Sequence, residues 1–90
     1  MKRVHLIISG DVQGVGFRAW AKHQAKELGL TGWVKNREDG AVEVVTEGIK
    51  EQLDEFVKRC QTGPDVSWVE RVDATWGHAT SEFLEFEVLY

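Results

Sequence analysis

The stretch that most constrains how this chain can fold is Ile8 to Arg18, ISGDVQGVGFR. An apolar run, Val4 to Ile8, enters it with strand character, and a periodic segment, Phe17 to Leu28, leaves it with helix character. Between them stand three glycines in seven residues, Gly10, Gly14 and Gly16, and an arginine where the helix should begin. Glycine lets the backbone turn to positive φ and lets another group come close to the chain. A strand-to-helix turn built this way aims several N–H groups into one hollow, and the positive end of the helix dipole adds to them. In outline that is an anion site.

Arg18 sharpens the reading. A cation in the first helical turn opposes the macrodipole, at roughly 0.3–1 kcal/mol. A bound anion between the guanidinium and the helix end would account for its placement. The alternative is a solvated surface arginine beside glycines that only shape a turn, and spacing alone leaves both open. No Gly-Lys-Ser/Thr follows the glycines, so the loop is not a Walker A. Gly14-x-Gly16 also lacks the third glycine of a dinucleotide fingerprint.

Ninety residues suit one domain, residues 1–90, with a single core. Four Trp, four Phe and 42% hydrophobic residues indicate a packed protein rather than disorder. Cys60 is the only cysteine, which excludes an internal disulfide or cysteine metal site and suits a reducing compartment. No apolar run approaches membrane-span length, so a cytoplasmic protein is expected. A formal net charge of −4 argues against non-specific nucleic-acid binding.

Val4, Leu6 and Ile8 alternate with Arg3, His5 and Ser9 as in a half-buried strand, and Ile7 breaks the polar face. With no second histidine at metal spacing, His5 reads as a solvated strand residue. Phe17, Trp20, Ala21, Gln24, Ala25 and Leu28 form the apolar stripe of a first helix, with Trp20 its largest core anchor and Gly29 its stop. Thr31–Arg37 and Ala41–Glu47 read as strands joined by the turn Glu38-Asp39-Gly40, and so short a connection makes them antiparallel. Ile49, Leu53, Phe56, Val57 and Cys60 mark a second helix ended by Gly63-Pro64; on that stripe Cys60 is a small core residue. Val66–Trp76 and Phe83–Tyr90 read as strands, with a polar loop at Gly77–Ser81. The order βαββαβ plus a C-terminal strand fits an α+β, ferredoxin-like split βαβ sandwich. Its sheet is expected to be antiparallel, with both helices on one face.

Asn36 has two readings. It could open the turn, yet asparagine is depleted in strands and here follows Trp33-Val34-Lys35, which look like strand interior.

Two stretches resemble the acylphosphatase family. Gly10-x-Val12-Gln13-Gly14-Val15-x-Phe17-Arg18 is similar to its GxVQGVxFR signature. Gly32-Trp33-Val34-Lys35-Asn36, with Gly40, Val42 and Gly48, is similar to its second signature. Length and element order suit the family along the whole chain. Asp11 departs from it, standing where the family is associated with a basic residue. The resemblance implies hydrolysis of small acyl phosphates to carboxylate and inorganic phosphate, without metal or cofactor. It also implies that Arg18, with backbone N–H groups of Gln13, Gly14, Val15, Gly16 and Phe17, binds the phosphoryl group, and that Asn36 orients the attacking water.

Two other classes remain to be weighed. The same loop could sense a phosphorylated metabolite without turnover, although the presence of both Arg18 and Asn36 favours an enzyme. Single-stranded RNA binding on the open sheet would need aromatics on the central strands. Val4–Ser9 and Ala41–Glu47 carry none. The expected partners are therefore an acyl phosphate and, as product or inhibitor, inorganic phosphate, bound by a monomer without nucleic acid or membrane.

Overall fold

A computed structural model describes all residues, 1–90. Its elements are β1 (Lys2–Asp11), α1 (Phe17–Glu27), β2 (Thr31–Asn36), β3 (Val42–Gly48), α2 (Lys50–Cys60), β4 (Trp68–His78) and β5 (Phe86–Val88). The five strands form one sheet in the order β4-β1-β3-β2-β5. No helix is long and apolar enough to cross a membrane.

Alternation decides which face is covered. Val4, Leu6 and Ile8 of β1 lie beside Thr46, Val44 and Val42 of β3, and all six are buried beneath the helices. Val34 of β2 joins them opposite Val44, and Phe86 of β5 joins opposite Gly32. From above, α1 contributes Phe17, Ala21 and Ala25, and α2 contributes Leu53, Phe56 and Cys60. Each large apolar side chain so buried is worth about 1.5–3 kcal/mol in transfer from water. Cys60 is a core residue, and burial pushes its thiol pKa up. Phe17, 2% exposed, anchors α1; Trp20 is only partly buried and meets the Phe17 ring edge-on at 5.2 Å.

The expected all-antiparallel sheet needs correction, because β5 runs parallel to β2 and the sheet is mixed. The reason is topological. Successive antiparallel pairings leave β4 ending at the same end of the sheet at which β1 and β2 begin, with His78 beside Lys2. Residues 79–85 then cross from one edge to the other, and β5 starts at that end beside Gly32. The crossing spans four strand spacings, about 19 Å, within reach of so short an extended segment. It also delays β5 to Phe86, while β4 extends to His78 through part of the expected Gly77–Ser81 loop.

Glu47, only 3% exposed, holds the crossing. Its carboxylate accepts the N–H groups of Thr80 (2.8 Å) and Ser81 (3.0 Å) and the Thr80 hydroxyl (3.1 Å), with Arg3 at 3.4 Å. Burial alone would raise its pKa, but these donors together hold it below the ordinary glutamate value. A depressed folded-state pKa contributes stability that is present above about pH 4.5 and lost as pH falls through the lower folded value. Glu47→Gln should therefore lower stability at pH 7 by about 1–3 kcal/mol and flatten the acid limb below pH 4.5. Denaturant midpoints measured from pH 7 to pH 3 check this, and an unchanged acid limb would refute the anchor.

Candidate active site

The loop between β1 and α1 leaves its donors free. Gly14 (φ 74°) and Gly16 (φ 78°) are left-handed, with open space where a Cβ would stand, so conformation rather than crowding calls for glycine. Gly16 occupies the N-cap of α1 without a side-chain cap, and the first turn contains no acidic residue. The N–H groups of Gln13, Gly14, Val15 and Gly16 donate to no group of the protein. Those of the first helical turn have no intrahelical acceptor in any α-helix. The positive end of α1 thus opens into a hollow.

Gln13 clamps this loop to the β2–β3 turn. Its Nε2 donates to the carbonyls of Arg37 (2.7 Å) and Ala41 (2.9 Å). Both partners are acceptors only, which settles the orientation of the amide. The turn is itself closed by Arg37 N–H to Ala41 O (2.8 Å) and by the Asp39 carboxylate. That carboxylate accepts from Ala41 N–H (3.1 Å) and Arg37 Nε (3.2 Å), donors that hold its pKa below the ordinary aspartate value. Asn36 immediately precedes the turn, on the same face of β2 as Val34, and is thereby held beside the loop. Its side-chain amide makes no hydrogen bond within the protein.

Arg18 is oriented from the other side. Its Nη1 donates to Leu89 O (3.1 Å), and its guanidinium carbon lies 4.6 Å from the centroid of the Tyr90 ring. Leu89 N–H donates to Val34 O (2.8 Å), so the segment that holds Arg18 is pinned to β2. Arg18 has no carboxylate partner, leaving most of its donor fork unused. Val12, Gly14, Gly16, Phe17, Arg18, Ala19, Asn36, Val88 and Tyr90 enclose a cleft of about 140 Å³. An uncapped helix end, a guanidinium and a free carboxamide therefore share one wall-to-wall space suited to a tetrahedral oxyanion.

Five of the residues singled out in the sequence, Gly14, Gly16, Phe17, Arg18 and Asn36, line this cleft. Gln13 does not line it, since its side chain is spent on the clamp, and the Val15 side chain packs against the core. Asp11 is exposed and outside the cleft. His5 is not simply solvated: on the open face its Nε2 lies 2.6 Å from Glu43 Oε2. Sequence reasoning missed Val88, Leu89 and Tyr90. The alternation of FLEFEVLY placed them in a strand, but only the parallel pairing with β2 brings that strand's end to Arg18.

The family model described as Acylphosphatase matches residues 4–88. An acylphosphatase of Methylococcus capsulatus is 49% identical over 89 residues, covering 99% of this chain and 97% of that relative. The crystal structure of acylphosphatase from Bacillus subtilis superposes with a TM-score of 0.96 at 37% identity, covering 100% of both chains. An acylphosphatase structure from Coxiella burnetii gives 0.92 at 34% identity, covering 98% of this chain and 92% of that one.

Because space around Gly16 is open, its backbone conformation alone should set the response to substitution. Gly16→Ala should destabilise by about 1–2 kcal/mol, and Gly16→Asn by clearly less, since asparagine tolerates the left-handed region. Thermal or denaturant unfolding of the two variants checks this; equal losses would show that crowding, not φ, selects glycine.

Proposed function

Since the chain belongs to the acylphosphatase family, enzymes that hydrolyse the carboxyl–phosphate bond of acyl phosphates, we propose that Arg18 and Asn36 carry the reaction without a metal. The enzyme converts small acyl phosphates to carboxylate and inorganic phosphate. One observation supports the assignment above the rest: the guanidinium of Arg18 and the unpaired amide of Asn36 border one cleft at an uncapped helix end.

In this reading the substrate phosphoryl group sits on the N–H groups of Gln13 to Phe17, with two of its oxygens on the Arg18 fork. A planar guanidinium matches two phosphate oxygens better than an ammonium does. Asn36 holds a water through its side-chain carbonyl. The water oxygen attacks phosphorus, the bond from phosphorus to the acyl oxygen breaks, and the carboxylate departs with the electron pair. Asparagine is not basic enough to take the proton, so a phosphoryl oxygen of the substrate receives it. A carboxylate is a good leaving group, which leaves positioning and charge stabilisation as the enzyme's tasks. We place the protein as a single cytoplasmic domain that works as a monomer, without nucleic acid or membrane, with inorganic phosphate as product and inhibitor.

Release of inorganic phosphate from benzoyl phosphate, with and without EDTA, tests the proposal. Turnover should survive EDTA, and kcat should stay flat from pH 6 to 7 because no enzyme base titrates in the mechanism. Asn36→Ala should lower kcat roughly 10²–10³-fold with little change in inhibition by phosphate. Arg18→Ala should abolish both turnover and phosphate inhibition. Wild-type-like turnover in either variant would remove that residue from the mechanism, and loss of activity in EDTA would overturn the metal-free chemistry.

A further inference from the structure

At the end of the sheet opposite the β1–α1 loop, a second hollow of about 260 Å³ is bordered by Lys2, Lys50, Trp76, Gly77 and His78. The ten residues of β1 hold the two ends about 30 Å apart, and the hollow shares no residue with the cleft at Arg18. Its side chains come from three elements. Lys2 stands directly opposite His78 in the β1–β4 register, as Val4 stands opposite Trp76. Val4 is buried beneath the helices, so two-residue alternation puts Lys2, Trp76 and His78 on that same face. Lys50, the first residue of α2, completes the border.

This corner of the helix-covered face is left unfinished. Val72, on the same face of β4, packs against the core, yet Trp76 is 41% exposed. Strand β4 lies at the sheet's edge and α2 packs over β1 and β3, so the indole stands as a bare wall beside the start of α2. Lys50 Nζ lies 5.2 Å from the indole centroid and 3.0 Å from an Asp54 carboxylate oxygen. Both members of that ion pair are half exposed, so the pair is weak and leaves the ammonium free to turn to another anion. Lys2 and His78 face each other across the strands with no carboxylate partner and no side-chain hydrogen bond. In a chain of net charge −4, this leaves two ammoniums and an imidazole grouped around an exposed aromatic surface.

Such a border suits a ligand with two matching parts, an aromatic body for the indole and an anion for the cations. Inorganic phosphate alone would leave the indole bare, and an uncharged ring would leave the cations unpaired. We propose that this hollow is a second, non-catalytic site for an aromatic ring carrying a phosphate group, with the ring against Trp76 and the phosphate among Lys2, Lys50 and His78. Nothing that borders it offers a carboxamide of the kind Asn36 brings to the cleft, so the ligand is held and not turned over.

Calorimetric titration of the Arg18→Ala protein tests this with the phosphate grip of the cleft removed. Phenyl phosphate should bind at least tenfold more tightly than phenol, which lacks the anion, or inorganic phosphate, which lacks the ring. In the same background, Lys2→Gln/Lys50→Gln should weaken phenyl phosphate roughly tenfold, with the effect shrinking in salt. Trp76→Leu should weaken it about three- to tenfold, while Lys26→Gln, an exposed lysine of α1, should leave it unchanged. The substituted side chains are exposed, so these variants keep the core intact. Adenosine monophosphate separates two sources of the same chemistry. Tighter binding than phenyl phosphate, with the gain lost in Trp76→Leu, would point to a nucleotide, and weaker binding to a simple aryl phosphate. Phenyl phosphate that binds no better than inorganic phosphate would overturn the inference, as would binding indifferent to both Trp76→Leu and the lysine variant.

Discussion

Everything at the active end depends on the way the chain crosses its own sheet. With β4 at one edge and β5 at the other, the final strand can be reached only across an end of the sheet, and residues 79–85 take that route. The crossing is held by a buried carboxylate, Glu47, which accepts the N–H groups of Thr80 and Ser81. A buried charge is tolerable only when fully hydrogen-bonded, and here the bonds come from the backbone that has to be placed. The direction of β5 follows: it rises parallel to β2 and delivers Leu89 and Tyr90 to Arg18 at the far end. An anchor at one end of the sheet thus sets the orientation of a guanidinium at the other.

The site reverses the usual rules for a stable helix end. A capping side chain and an acidic first turn would satisfy the N-terminus of α1; instead Gly16 caps nothing and Arg18 sits in the first turn with its charge opposed to the dipole. Each of these choices is locally unfavourable by a fraction of a kilocalorie or more. They become favourable together when an anion occupies the hollow, because it satisfies the N–H groups and the guanidinium at once. The fold contributes rigidity around this unsatisfied region: Gln13 fastens the loop to the β2–β3 turn, and Leu89 O and the Tyr90 ring hold Arg18. Little ordering is left for substrate binding to impose.

What was legible in the sequence follows the range of the interactions. The helices, the β2–β3 hairpin and the loop are local in origin, written in 3.6- and 2-residue periods and in glycine positions. The motifs added the pairing of Arg18 with Asn36, which the structure brings to a single cleft although they stand on different elements. The parallel edge strand was not legible, because nothing in FLEFEVLY states its direction; that comes from the parity of four earlier strands. The clamp by Gln13 was hidden for a related reason. An amide in a glycine loop has many conceivable partners, and only the packed hairpin puts the carbonyls of Arg37 and Ala41 within 2.9 Å. Trp20 was misjudged as the main anchor because periodicity ranks side chains by face and not by depth, and Phe17, one turn nearer the loop, lies deeper.

A chain of net charge −4 that binds anions must separate local from global electrostatics. At physiological ionic strength charges are screened beyond about 8 Å, so distant carboxylates contribute little to the potential inside the cleft. On the proposed assignment, what a phosphoryl group would meet is set by the immediate wall of the cleft, the helix N–H groups and Arg18, with Asp11 exposed outside it. A negative surface and an anion-binding pocket are compatible on the proposed assignment, because the unpaired N–H groups of the glycine loop stand at the cleft itself. At hydrogen-bonding range a few oriented N–H groups and one guanidinium outweigh many screened charges.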